Sequence, residues 1–202
     1  MELDLSNQNE LIGATKPNRI GYKGAEALAE VLRVNKFLCC LNVSSNKIGD
    51  EGVKLILEGA IEGQTLISLD ISKNCLTSKC CLSIARFVEK VSSINDLNLK
   101  GNLLETAGIK LIANGLRMHS VNLKTINLQS TGITLIGYIN LFYTIIGRNS
   151  SLKKIKVDFN PINFTSDLPF KPAIKGLDKN RGLQSLSLTK CGLYDSIGSA
   201  MC

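Results

Sequence analysis

Residues 38–48 read LCCLNVSSNKI and residues 66–76 read LISLDISKNCL. Both stretches carry apolar residues at their first, fourth, sixth and eleventh positions and an asparagine at the ninth. The phrase returns at 94–104 (INDLNLKGNLL), 123–133 (LKTINLQSTGI), 152–162 (LKKIKVDFNPI) and 183–193 (LQSLSLTKCGL). Spacings between successive copies are 28, 28, 29, 29 and 31 residues, and the ninth position holds Asn46, Asn74, Asn102, Thr131, Asn160 and Cys191. A period kept over six copies decides the architecture before any single residue does, since one structural unit must recur with it.

Each half of a unit has its own periodicity. The alternation in x-L-x-L-x marks a short strand with its leucines on one face. The following half spaces its apolar residues as a helix does: in GYKGAEALAEVLRVN (21–35), Ala25, Leu28, Ala29 and Leu32 fall at i, i+3, i+4 and i+7. Strand, helix and strand in one direction require parallel pairing through a right-handed crossover. No single unit can bury its own leucines, so stacking must do it. Asparagine suits the ninth position because its amide both donates and accepts inside a tight turn. Thr131 keeps a hydroxyl there and Cys191 a weak donor. These residues are expected to be structural rungs.

The pattern L-x-x-L-x-L-x-x-N/C-x-L resembles the leucine-rich repeat, and the unit length with its G-x-x-x-L helix phrase resembles the ribonuclease-inhibitor-like subclass. The resemblance implies an α/β solenoid, an open curved right-handed array with parallel strands on the concave face and helices on the convex face. One domain over 1–202 is expected, with about seven units starting near 1, 38, 66, 94, 123, 152 and 183. The first unit has its strand at LDL (3–5), Ser6 matching Ser44 and Asn18 matching Asn46. The residues between them form an insertion over 7–17, expected to project as a loop. Pro161, Pro169 and Pro172 should delay and shorten the helix of the sixth unit. The seventh unit is incomplete. Neither end shows a polar cap, which leaves two readings: a shortened array, or ends covered by a partner or a second copy in a dimer or larger assembly.

Composition narrows the class. The chain has 202 residues, 44% of them hydrophobic and 20% charged, with no Trp, so leucine and isoleucine must build the core of a soluble fold. Seven cysteines without paired spacing, and a start (MELDLSNQNE) lacking a secretory pattern, fit reduced thiols and a cytoplasmic location. Residues 125–147 are free of charge, long enough for a bilayer, yet the repeat accounts for their apolar positions and no membrane span is expected. His119 is the single histidine and has no nucleophile beside it in the sequence; CLTSKCC (75–81) lacks zinc-ligand spacing. No catalytic residue, metal site or cofactor is expected, and the chain is read as a non-enzyme. Nucleic acid is not the expected ligand, as no basic motif with interleaved aromatics occurs.

What remains is a surface. Strand residues alternating with the leucines should line the concave side: Asp70, Asn98, Asn127 and Lys156 at the fifth position, Asp96 and Lys154 at the third. Net charge is +7, unevenly spread: residues 1–144 carry 15 Lys/Arg against 13 Asp/Glu, and residues 145–202 carry 9 against 4. Lys154 and Lys156, with Phe159 beside the strand end and Lys190 in the next unit, suggest docking of an acidic protein segment. The function expected from the architecture is a protein–protein interaction or scaffold module binding its partner on the concave face. Regulation of a small GTPase, as by GTPase-activating proteins with this repeat subclass, is the alternative that the resemblance offers.

Overall fold

The computed structural model describes residues 1–7, 19–117, 122–143, 151–161 and 180–192. Seven three-residue strands form one parallel sheet in strict chain order: β1 (Glu2–Asp4), β2 (Cys40–Asn42), β3 (Ser68–Asp70), β4 (Asp96–Asn98), β5 (Thr125–Asn127), β6 (Lys154–Lys156) and β7 (Ser185–Ser187). The central leucine or isoleucine of each strand pairs with its counterpart in the next, from Leu3↔Leu41 through Ile155↔Leu186. Between strands lie α1 (Gly21–Val34), α2 (Gly49–Gly63), α3 (Cys81–Lys90, preceded by a 3₁₀ turn at Ser78–Cys80), α4 (Glu105–Leu116) and α5 (Leu135–Leu141).

The strand leucines point inward and meet the apolar stripe of the helices. Leu41, Leu69, Leu97, Ile126 and Ile155 are buried in one continuous core with Ala25, Leu32, Ile56, Ile84 and Ile112 of the helices. Ala25, Leu28, Ala29 and Leu32 are the buried face of α1, as the spacing requires. Cys80 and Cys81 are both buried. Backbone pairing continues past each strand: Asn7 N–H donates to the Ser44 carbonyl, Ser45 to Ser72, Lys73 to Lys100, and Phe159 to Thr189.

Neighbouring helices approach closely where glycine stands. A Cβ on Gly59 would meet the Ala29 carbonyl oxygen at 2.4 Å, and one on Gly63 the Leu32 carbonyl at 2.0 Å. Alanine, better by about 1 kcal/mol in an isolated helix, has no room at either.

The uncharged stretch from residue 125 holds β5, a turn and the short α5. Among the described residues no helix is long and apolar enough to cross a membrane. The body of the expected insertion, His119, the delayed helix expected in the sixth unit and the chain after Gly192 lie outside the described residues.

Candidate functional site

The ninth-position side chains form a buried ladder. Asn74 Nδ2 donates to the carbonyls of Val43 (2.9 Å) and Ser72 (3.2 Å), while its Oδ1 accepts from Asn46 N–H (2.9 Å) and Ile48 N–H (3.4 Å). Asn102 and Asn160 repeat the scheme one unit and three units on. Thr131 substitutes only in part, its hydroxyl donating to Leu128 O at 2.7 Å. In the unit before it, Leu104 N–H donates to the carbonyl of Asn102 (3.1 Å), where Ile48, Leu76 and Ile133 each donate to the asparagine of the next unit. Tyr138, buried in α5, reinforces the next step: its hydroxyl lies 3.1 Å from Val157 O, 3.0 Å from Asn160 O and 3.1 Å from Cys191 Sγ. Burial, then the bond to Cys191, pushes the Tyr138 phenol well above its usual range. These groups are spent on the fold.

Outside the core, on the face turned away from the helices, the expected residues stand in two rows. One row runs Glu2, Cys40, Ser68, Asp96, Thr125, Lys154, Ser185, and the other Asp4, Asn42, Asp70, Asn98, Asn127, Lys156, Ser187. A shallow groove brings together Asp70, Asp96, Asn98, Asn127 and Lys156, with Thr125 between them. Lys154, Phe159 and Lys190 are not part of its lining.

The second row also has a structural duty. Asp4, Asn42, Asp70, Asn98 and Asn127 each accept from the backbone N–H two residues on, at 2.8, 3.0, 2.9, 3.1 and 3.1 Å, closing the end of each strand. Asn98 Nδ2 further donates to Asp70 Oδ2 at 2.7 Å. Lys156 cannot accept, and at the end of β7 the backbone N–H two residues past Ser187 is taken by Asp158 of the preceding unit. Its Oδ1 accepts from Ser187 Oγ (2.5 Å) and from Thr189 N–H (2.7 Å), and its Oδ2 accepts from Gln129 Nε2. Burial raises the Asp158 pKa, but the bonds from Ser187, Thr189 and Gln129 outweigh it and hold the carboxyl below its usual range. Sequence reasoning placed Asp158 on the concave side at the seventh position but gave it no part in closing a strand, and partners 29 and 31 residues away leave no local signal.

Asp158 separates the basic strand from the aromatic that follows. Phe159 is 46% exposed, and Lys190 Nζ sits 5.3 Å from its ring centroid, a cation–π pair at the rim of the face. The eighth residue of every unit from Ser45 to Lys190 has positive φ, and Phe159 at φ 58° is the bulkiest side chain to hold that conformation. The left-handed region costs a non-glycine residue about 1–2 kcal/mol, and such strain clusters at functional sites.

A parallel sheet wound one strand per turn, helices on one side and an asparagine ladder between the turns define a repeat solenoid. The family model for the leucine-rich repeat matches residues 34–57. Mouse ribonuclease inhibitor is 29% identical over 172 residues, covering 82% of this chain and 36% of the relative. Human NACHT, LRR and PYD domains-containing protein 12 is 30% identical over 186 residues, covering 91% of this chain and 17% of the relative. The chain therefore spans a minor part of the curated relatives it matches. The solved structure of leiomodin-1 actin-binding site 2 shares the fold, with 13% identity, a TM-score of 0.51, and coverage of 87% of this chain and 86% of that one. The chain folds as a leucine-rich-repeat solenoid and is similar to proteins of the ribonuclease-inhibitor-like kind.

Proposed function

We infer that this chain is a non-catalytic binding module that docks a protein partner on the open, concave face of its sheet. The observation that carries this reading is the set of Asp70, Asp96, Lys154 and Lys156 on that face, none of them in an ion pair among the described residues. An acidic segment of the partner is held over the C-terminal half by Lys154 and Lys156, with the Phe159–Lys190 pair as the apolar and cationic rim of the contact. The described cysteines are free thiols, which suits a cytoplasmic setting and a scaffold role there.

The test begins with proteins captured on the immobilised chain and identified by mass spectrometry. Lys154→Glu with Lys156→Glu is expected to abolish that capture with little change in the unfolding midpoint, because Lys154 is exposed and Lys156 half-buried. Capture is also expected to weaken as salt rises from roughly 50 to 300 mM, where screening is strong. Capture that survives the double change, or that maps to the helices, refutes the reading.

A further inference from the structure

The four unpaired charges are not scattered. Asp70 stands on β3 and Asp96 on β4, whereas Lys154 and Lys156 both stand on β6. Strand register places Asp96, Thr125 and Lys154 in one row, and Asp70, Asn98, Asn127 and Lys156 in the other. Neighbouring strands lie about 4.8 Å apart, so the opposite charges are separated by roughly 10 Å in the first row and 14 Å in the second. That is too far for them to neutralise one another directly, and the neutral β5 lies between. Neither the Thr125 hydroxyl nor the Asn127 amide nitrogen has a partner among the described residues. The groove is thus acidic at one end and basic at the other, where Lys156 lines it and Lys154 stands just outside on the same strand, and its middle carries groups that can hydrogen-bond a backbone.

We propose that the groove takes an extended peptide segment crossing the strands, one that carries a basic residue over Asp70 and Asp96 and an acidic residue over Lys154 and Lys156. An extended chain advances about 3.3 Å per residue, so the two charges of the ligand stand three or four residues apart. This rests on the concave-face reading above and narrows it: the partner is bipolar, not merely acidic. A uniformly acidic segment long enough to span the groove meets Asp70 and Asp96 with like charge, and a uniformly basic one meets the lysines.

A random 12-residue peptide display library, selected on the immobilised full chain, tests the proposal. The enriched peptides are expected to pair Lys or Arg with Asp or Glu at a spacing of three or four. A synthetic consensus peptide is then titrated against three proteins: the wild type, Asp70→Asn with Asp96→Lys, and Lys154→Glu with Lys156→Glu. Asparagine at 70 keeps the acceptor for the Ser72 N–H, as Asn42 and Asn98 do in their units, so the variant retains its strand closure. Both variants are expected to lose at least about tenfold in affinity, the size of effect that close charge contacts carry across an interface. Loss in the lysine variant alone overturns the bipolar reading and leaves the acidic-segment reading standing. Loss in neither, or a library that yields no peptide held by this face, overturns both.

Discussion

Two residues show how far a single side chain can reach in this array. Asn74 lies at the centre of the ladder and ties its own unit to the preceding one through four side-chain hydrogen bonds. Replacing it with alanine strands the Asn46 and Ile48 N–H groups in the interior, while the Val43 and Ser72 carbonyls each lose one of two donors. We expect Asn74→Ala to cost roughly 1–3 kcal/mol, and a chain of this size loses about 2–4 °C in melting temperature per kcal/mol. A midpoint equal to that of the wild type would mean that the ladder is not a stabilising element. Asp158 makes a different, pH-dependent contribution. A carboxyl held below its unfolded value stabilises the fold above that value and loses its effect as pH falls through the folded one. Asp158→Asn is therefore expected to be less stable than the wild type at neutral pH, with the gap closing below about pH 4. Chemical denaturation at pH 7 and pH 3 measures it, and a gap of equal size at both would show that the charge is irrelevant.

At the scale of the element, the strands and helices were legible in the sequence because each periodicity reports one buried face. The leucine alternation located every strand, and the i, i+3, i+4 spacing located the buried face of α1. The asparagine rungs were legible too, since few other groups both donate and accept in so small a turn. Less could be read where the contact depends on a residue about a unit away. Nothing local to Tyr138 announces that its hydroxyl supports the next turn, and nothing local to Phe159 reveals its left-handed backbone. The candidate groove was half legible: its residues could be named, but not their second duty in closing the strand ends. The first unit offers a direct test of the register. Asn7 N–H takes the bond to Ser44 O that Ser45 N–H makes to Ser72 O, and Gly21 N–H takes the bond to Asn46 O that Gly49 N–H makes to Asn74 O. Deleting residues 8–17 joins Asn7 to Asn18 and reproduces the spacing of Ser45, Asn46 and Gly49. The shortened chain is expected to fold with an unchanged circular dichroism spectrum, since closure entropy varies only slowly with loop length. An insoluble product would mean that the segment packs on the array.

For the whole molecule, stability in a stacked array is a sum of units and of the joints between neighbours. The joints are not alike. Between units two and three and between three and four, an asparagine side chain stitches each turn to the one before it. At the joint between units four and five, Thr131 interrupts that series, which Asn160 resumes one unit on, and a contact between the Thr106 and Thr134 hydroxyls (2.5 Å) supplements the backbone pairing. Amides of units five to seven are expected to exchange with solvent sooner than those of units two to four. Thr131→Asn, by extending the ladder, should bring the two groups together; equal exchange in the unmodified chain would refute the difference. This joint has a mechanical consequence. Pulled by its two ends, the chain would not peel evenly from the tip inward; it would part first at the unstitched turn and release the basic C-terminal units as one block. The acidic half of the groove would stay folded on one side of the break and the lysines would leave with the other, so tension alone would split the binding face in two.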